Sequence, residues 1–301
     1  MQRLAALDVG SNTTHILLCE VGCQGELTEI GDWVEMTELG VLVEQFGQLG
    51  QSGEQRVQAT LERILARARE VGFDQLVAGA TEAVRKASDG NRLLDSISAQ
   101  INVPIRLISP TREAQLVFLG VTAQHAKSGE WIAADVGGGS TEVIAAEDDQ
   151  LVRATSLPLG SGQFAARYLS DPPLPTELTQ LRQLAGQELT QAPGRHPGQL
   201  VVTGGTTHTL INLLALEDEP RLNRTHLDEI RQLLNQQTAE QLAPLLNLEP
   251  SRIQAVRGGV EILDQLLNRY QLEELQVARE GLRQGMLRAW LAQGEDWWVE
   301  C

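Results

Sequence analysis

The sequence predicts an α/β protein built from two related halves. A short pattern occurs twice, at Ala6–Thr14 and at Ala133–Glu142: an apolar run, Asp, one apolar residue, glycine and hydroxyl residues, then a second apolar stretch. Each copy is typical of a strand, a tight turn and a second strand. Segments with helical and strand patterns alternate after each copy. The 301 residues are enough for two domains.

The first half is predicted to begin with strands and then to alternate. Residues 1–45 are rich in strand-like runs and glycine-containing turns. From Gly53 to Val71 apolar residues recur at three- and four-residue steps, which predicts a helix. Ser109 as N-cap and Pro110 at the first helical position then begin a helix that ends near Gln124. Between these helices lie a strand at 76–80, a helix at 91–101 and a strand at 105–108.

The second half repeats the order. The predicted elements are strands at 131–136, 142–147 and 151–154, helices at 162–170 and 175–191, a strand at 200–203, and mainly helices from Thr225 onward. We therefore predict two domains, residues 1–124 and residues 125–301, and leave open whether the last helix packs back on the first domain.

Composition narrows the class of protein. With 42% apolar residues the chain can bury a sizeable core. No apolar run reaches the roughly 20 residues of a membrane span, and no secretory signal precedes the first strand. The three cysteines are an odd, sparse set typical of reduced thiols. A net charge of −16 argues against nucleic acid and anionic membrane as partners. We expect a cytoplasmic protein.

The turns of the two repeats are candidate phosphate sites, because bare N–H groups and hydroxyls can bind an anion. The first turn alone is also typical of an ordinary hairpin. Three consecutive glycines in the second turn indicate that the backbone closely approaches something else. The candidate phosphate-binding residues are Gly10, Ser11 and Asn12 in the first turn, and Gly137, Gly138, Gly139 and Ser140 in the second.

A third turn and three acids complete the pattern. Gly204, Gly205 and Thr206 follow a strand and precede an apolar helical run, which is typical of an anion site at a helix start or of a packing turn. A phosphate site in so acidic a protein needs a cation. The candidate metal ligands are Asp8, Asp135 and Glu142; their alternative roles are turn capping for the aspartates and a solvent-facing position for the glutamate.

These turns, in this order, resemble the two phosphate loops and the nucleotide loop of the actin, sugar kinase and Hsp70 superfamily. Four further segments resemble one branch, the exopolyphosphatase and guanosine pentaphosphate phosphohydrolase (Ppx/GppA) family; they are Ala80–Ala87, Ile108–Leu116, Val256–Leu263 and Arg279–Leu287. The resemblance implies two ribonuclease H-like (actin-like ATPase) domains flanking an interdomain cleft.

The resemblance also implies a reaction. Glu113 would activate a water molecule, and Arg85 would stabilise charge on the phosphoryl group, with Mg²⁺ or Mn²⁺ held near the three acids. Terminal orthophosphate would be released from inorganic polyphosphate. From the residues alone, Glu113 is an acid that favours the helix dipole and Arg85 is a solvated cation.

Several alternatives stay open at this point. One is a guanosine pentaphosphate 5′-phosphohydrolase; others are a kinase or ATPase of the superfamily and a non-catalytic sensor of guanosine tetraphosphate or polyphosphate. Oligomeric state is open as well, a homodimer included. Pro110 and Arg112 stand where the family often has glycine and an acid. Because the chain ends at Cys301, soon after the Gly281-Leu282-Arg283 motif, we expect the short, two-domain form.

Overall fold

The computed structural model describes residues 2–124, 128–194, 197–216, 218 and 220–300. The chain divides into two compact units. Unit 1 comprises residues 1–120 and 280–301, and unit 2 comprises residues 121–279. Residues 125–127, beside the predicted domain boundary, lie outside the described residues.

In each unit three consecutive strands come first and are followed by helices with further strands between them. The first part of the chain contains β1 (Gln2–Val9), β2 (Thr13–Val21), β3 (Leu27–Met36), α1 (Leu39–Phe46), α2 (Gly50–Val71), β4 (Gln75–Ala80), α3 (Glu82–Lys86), α4 (Gly90–Ile101), β5 (Ile105–Leu107) and α5 (Pro110–Gln124). Unit 2 contains β6 (Glu130–Val136), β7 (Thr141–Glu147), β8 (Gln150–Leu157), α6 (Ser161–Tyr168), α7 (Pro175–Glu188), β9 (Gln199–Thr203), α8 (Gly205–Leu213), β10 (Arg221–Asn223), α9 (Arg224–Leu234), α10 (Ala239–Leu246), α11 (Pro250–Tyr270) and β11 (Glu274–Val277). The chain then returns to unit 1 with α12 (Leu282–Gln293).

The two sheets share one strand order. In unit 1 the order is β3-β2-β1-β4-β5; the first three strands are antiparallel neighbours, and β4 and β5 run parallel to β1. In unit 2 the order β8-β7-β6-β9-β11 repeats this arrangement, with β10 added antiparallel at the edge. The predicted fold class, α/β with two ribonuclease H-like domains, is confirmed. The interdomain cleft stays a prediction.

Helix α12 covers the sheet of unit 1, where it packs against β1 and β4. The fully buried Met286 lies over Gly79, where an added Cβ would come within 3.2 Å of the methionine Cε. α12 also crosses α5 with the backbones in contact. A Cβ on Gly285 would lie 1.8 Å from the carbonyl oxygen of Leu116, so only glycine allows this crossing.

The N-cap prediction for α5 is confirmed: the Arg112 N–H donates to the Ser109 hydroxyl at 3.1 Å. Four other elements differ from expectation. The short helix α3 (Glu82–Lys86) lies where no helix was predicted, between the strand at 76–80 and the helix at 91–101. Leu39–Phe46, in the region predicted as strands and turns, forms α1, because Leu39, Leu42 and Val43 occupy one buried face. The region after residue 220, predicted to be mainly helical, also contains β10 and β11. These strands are three and four residues long, too short for a clear alternating pattern. Among the described residues, none of the helices has the length and apolar character needed to cross a membrane.

Candidate active site

The turns that follow β1 and β6 have the same internal hydrogen bond. The N–H of Gly10 donates to the carbonyl of Thr13 at 2.9 Å, and the N–H of Gly137 donates to the carbonyl of Ser140 at 3.0 Å. The sequence repeat is therefore a structural repeat. It also means that these two glycine N–H groups close the turns and do not point at a ligand.

The carbonyls of the first turn face the start of α1. Ser11 accepts from the Gly40 N–H at 2.7 Å, and Asn12 accepts from the Glu38 N–H at 2.9 Å. Since α1 has no side-chain cap, the turn satisfies N–H groups at the helix start. In a trans peptide the N–H points opposite to the carbonyl, so the N–H of Asn12 faces away from α1. That N–H is a candidate donor to an anion.

The second turn is anchored in the same way on α6. Gly137 accepts from the Ser161 N–H at 2.9 Å, and Gly138 accepts from the Gln163 N–H at 3.1 Å. By the same peptide geometry, the N–H groups of Gly138 and Gly139 point away from α6. Both turns thus present backbone donors on the side opposite to the helix that anchors them.

The third turn lies beside the second. β6 and β9 are parallel neighbours with Asp135 opposite Thr203, so their carboxyl ends share one edge of the sheet. Gly204 has φ +112°, and a Cβ there would lie 2.5 Å from the Val136 carbonyl and 2.9 Å from Asp135 Oδ1. Glycine at this position lets the two turns meet, and the site residues predicted for unit 2 lie together.

The start of α8 has a cation next to it. A Cβ on Gly205 would lie 2.6 Å from Nη1 of Arg252, whose guanidinium therefore covers this turn. The buried Thr206 faces Gly259 of α11, where a Cβ would come within 2.2 Å of the threonine hydroxyl. The third turn combines a helix start with a nearby arginine, and both are favourable to a phosphate.

In unit 1 the predicted catalytic pair is assembled at the carboxyl ends of β4 and β5. Arg85 lies in α3, directly after β4, and Glu113 lies in the first turn of α5, after β5. Arg85 Nη1 donates to Glu113 Oε2 at 2.6 Å and to the Ile108 carbonyl at 2.6 Å. The glutamate side chain is only 8% exposed. Glu113 is therefore a buried, paired carboxylate, and Arg85 is not a solvated cation.

Asp8, the single acid of β1, lies close to a second arginine. Its Oδ2 is 3.9 Å from Nη1 of Arg283 in α12. Its Oδ1 is buried and has no hydrogen-bond partner among the described residues. Burial raises the pKa of Asp8 to about 6, although the positive charges of Arg283 and then of Arg85 act in the opposite direction. Such a carboxylate is suited to a cation.

Arg283 was not predicted as a site residue. In the sequence it appears only within the Gly281-Leu282-Arg283 motif, far from Asp8 along the chain. The return of α12 to unit 1 brings the two together, and the Nε of Arg283 is also buried without a partner in the described part of the chain.

The other two candidate metal ligands are neighbours in unit 2. Asp135 and Glu142 lie opposite each other in the antiparallel pair β6–β7, so their side chains share one face of the sheet. Glu142 is 2% exposed and accepts a hydrogen bond from Ser156 Oγ at 2.7 Å, which excludes the solvent-facing alternative. No three His, Cys, Asp or Glu residues within the described ranges form a ready metal cage. Mg²⁺ is commonly held by one or two carboxylates, waters and substrate phosphates, so these acids fit it.

Two α/β units of matching strand order define a two-domain protein of the ribonuclease H-like class. Its glycine turns at the carboxyl ends of the strands and its buried Arg–Glu pair are candidate site features. The chain belongs to the Ppx/GppA phosphatase family, whose profile matches residues 24–293.

Relatives and solved structures agree with this assignment. Exopolyphosphatase 1 of Mycobacterium bovis is 28% identical over 299 residues, which cover 95% of this chain and 87% of the relative. An exopolyphosphatase from Cytophaga hutchinsonii has a TM-score of 0.86 at 22% identity, over 97% of this chain and 98% of that one. The Aquifex aeolicus member of the family has a TM-score of 0.79 at 23% identity, over 98% and 99% of the two chains. The fold is shared along nearly the whole chain.

Proposed function

We propose that this protein is an exopolyphosphatase that releases terminal orthophosphate from inorganic polyphosphate. The observation that carries the proposal is the buried Glu113 carboxylate, 2.6 Å from Arg85 at the carboxyl edge of the unit 1 sheet. The relatives named exopolyphosphatase, which match 95% of the chain, support this substrate class.

In this proposal Glu113 and Arg85 have different catalytic roles. Glu113 orients a water molecule toward the terminal phosphorus and accepts its proton. Arg85 offers its planar guanidinium to the oxygens of the phosphoryl group, whose negative charge must be stabilised during transfer. In the structure one nitrogen of Arg85 already holds Glu113 and the Ile108 carbonyl, which fixes the arginine's direction.

We assign phosphate binding to the glycine turns of each unit. Peptide geometry favours the N–H groups of Asn12, Gly138 and Gly139 as donors, with the hydroxyls of Ser11 and Ser140 beside them. Gly10 and Gly137 serve by closing their turns. The third turn contributes through Gly204, Gly205 and Thr206 at the start of α8, near Arg252.

We propose a divalent cation, Mg²⁺ or Mn²⁺, as cofactor; its candidate ligands are Asp8 within unit 1, and Asp135 and Glu142 within unit 2. When bound, it would neutralise phosphate charge and polarise the bond that breaks. This help matters because the chain carries a net charge of −16 and its substrate is a polyanion. We further propose that the protein acts in the cytoplasm, without nucleic acid or membrane as a partner.

A panel of substrates tests the proposal. Phosphate release would be measured with short polyphosphate, long polyphosphate, guanosine pentaphosphate and ATP, each with Mg²⁺ and with Mn²⁺. We expect polyphosphate to give the highest kcat/KM. Preference for guanosine pentaphosphate would identify the alternative hydrolase. Transfer from ATP to an acceptor would identify a kinase, and tight binding without any release would identify a sensor.

A further inference from the structure

The segment that follows α12 is bound to the beginning of α5. Arg112, in the first turn of α5, is 1% exposed and directs its guanidinium at this segment. Its Nε donates to the Trp297 carbonyl at 2.9 Å, its Nη2 contacts the same oxygen, and Nη2 also donates to Gln293 Oε1 at 2.6 Å. One buried arginine thus ties α5 to residues about 180 positions later.

Two further contacts join the same two parts of the chain. The Ser109 hydroxyl, which caps α5 by accepting from the Arg112 N–H, donates to the Glu300 carboxylate. The Arg106 guanidinium in β5 lies over the Trp298 ring, 5.0 Å from its centroid, in a cation–π contact. Residues 297–300 therefore touch the strand before α5, its N-cap and its first turn. We call residues 297–300 the clamp segment.

Glu113 is the residue next to Arg112. Its own N–H donates to the Ser109 carbonyl at 2.8 Å, so its backbone belongs to the turn that the clamp segment holds. Its carboxylate must meet Arg85, which is supplied by a different element. A small rotation or slide of the α5 start would change that distance, because a carboxylate in the first turn moves with its backbone.

We propose that the clamp segment fixes the start of α5 and that Arg112 is a positioning residue for Glu113. The inference rests on the proposed function for its catalytic readout. It also explains why arginine is accommodated where the family often has an acid: the Trp297 carbonyl is only an acceptor, so a carboxylate at this position could not pair with it.

Arg112→Lys is the principal test, since lysine keeps the charge but loses the two-nitrogen fork on the Trp297 carbonyl. A misplacement near 1 Å at a catalytic group costs on the order of 10²-fold. We expect kcat on polyphosphate to fall between about 10- and 100-fold with KM changed less than about 3-fold. Trp298→Ala is a milder change within the clamp segment and should also lower kcat. It replaces Arg112→Lys as the test if that variant does not fold.

Arg257→Lys is the matched control. Arg257 in unit 2 is also buried, and its Nε and Nη2 fork a single backbone carbonyl, that of Leu234, at 3.0 and 2.7 Å. It should lose comparable thermal stability, but its kcat at a temperature well below unfolding should stay within about 2-fold of wild type. An equal loss of kcat in both variants would overturn the positioning role.

A double-mutant cycle separates positioning from general damage. If Arg112 acts through Glu113, Arg112→Lys should cost little further rate in a Glu113→Gln background, because residues that act as a unit are non-additive. Full additivity would contradict the proposal. If Glu113→Gln itself keeps full activity, Glu113 is not the base. The proposal that the clamp segment fixes the start of α5 is then tested by hydrogen exchange.

Amide hydrogen exchange tests the role of the clamp segment independently of enzyme activity. In Trp298→Ala and Arg112→Lys, the amides of residues 112–116 should exchange at least about 10-fold faster, while those of α2 stay unchanged. Unchanged exchange at the start of α5 in both variants would show that the clamp segment does not hold it, whatever the enzyme's substrate.

Discussion

Glu113 is both buried and charge-paired, an arrangement that keeps a carboxylate in one orientation. Its partner Arg85 is held in turn by the Ile108 carbonyl. We predict that Glu113→Gln lowers kcat on polyphosphate by about 10²–10⁴-fold, the usual contribution of general acid–base catalysis. Steady-state phosphate release measures this effect, and circular dichroism checks that the variant is folded. A folded variant with wild-type kcat would remove Glu113 from the mechanism.

Asp8 leads to a prediction about stability, because its buried position disfavours the charged form of its carboxyl group. Burial raises its pKa to about 6, against Arg283 and Arg85. A carboxyl whose pKa is raised in the folded state destabilises the fold when ionised, so the cost is fully present above about pH 6. It declines as the pH falls through 6 toward the ordinary value of 3.8.

Asp8→Asn should therefore be more stable than wild type at pH 7.5 without divalent cations, by on the order of 2 kcal/mol. The advantage should shrink as the pH is lowered toward 5, and polyphosphate hydrolysis should be lost. Urea unfolding at several pH values with a chelator present measures the first effect. A variant less stable than wild type at pH 7.5 would contradict the burial argument.

At the scale of elements, the start of α5 is a feature that could be predicted from the sequence. Ser109 and Pro110 are a local signal, and the structure has the predicted cap. The opposite case is β11, which lies inside the sheet between β9 and the edge strand β10 and has only two buried residues. Its position is decided by pairing with strands distant in the sequence, and four residues hold too little pattern to indicate it.

The same distinction between local signals and long-range pairing applies to the candidate site. The glycine turns could be predicted from their local pattern. Catalytic roles for Arg85 and Glu113 could be predicted only through the resemblance to the Ppx/GppA family, because from the residues alone they are a solvated cation and an acid at a helix start. The contact between Arg85 and Glu113, and the arrival of Arg283 beside Asp8, depend on the sheet order and on the return of α12. No local pattern contains that information, so the pairings could not be predicted from the residues alone.

The crossing of α5 and α12 gives a prediction with an unusual sign. Gly→Ala inside a helix normally stabilises, by up to about 1 kcal/mol. At Gly285 the added Cβ would lie 1.8 Å from the Leu116 carbonyl, which is backbone and cannot move aside. We predict that Gly285→Ala destabilises the protein by about 2–3 kcal/mol, a typical cost of overpacking. Thermal unfolding measures it.

Gly186→Ala in α7 is the control for this substitution. Its Cβ would meet only Gln265 Oε1 at 3.1 Å, the far end of a flexible side chain. This variant should be as stable as wild type or slightly more so. If Gly285→Ala were equally harmless, the close approach of the two helices would be wrong.

At the scale of the whole molecule, the two units have the same sheet order but different continuity along the chain. Among the described residues, the apolar core of unit 2 consists of residues between Ile132 and Val277. The core on one face of the unit 1 sheet is built from residues between Ala5 and Ile105, while the buried Met286 and Leu287 of α12 come from the far end. Unit 2 is therefore continuous, and unit 1 is completed only by a second segment.

This difference predicts how fragments behave. A fragment of residues 128–279 contains its complete sheet and core, so we expect it to fold alone and to unfold in one cooperative transition.

A fragment of residues 1–124 lacks α12, which leaves the α12-facing side of β1 and β4 uncovered. We expect that fragment to bind a hydrophobic dye and to lack a cooperative transition, and addition of a peptide spanning residues 280–300 should reduce the dye binding. Circular dichroism melts and dye fluorescence measure both fragments. A cooperative melt of residues 1–124 without dye binding would mean that α12 is dispensable for unit 1, and a disordered fragment 128–279 would mean that unit 2 depends on the rest of the chain.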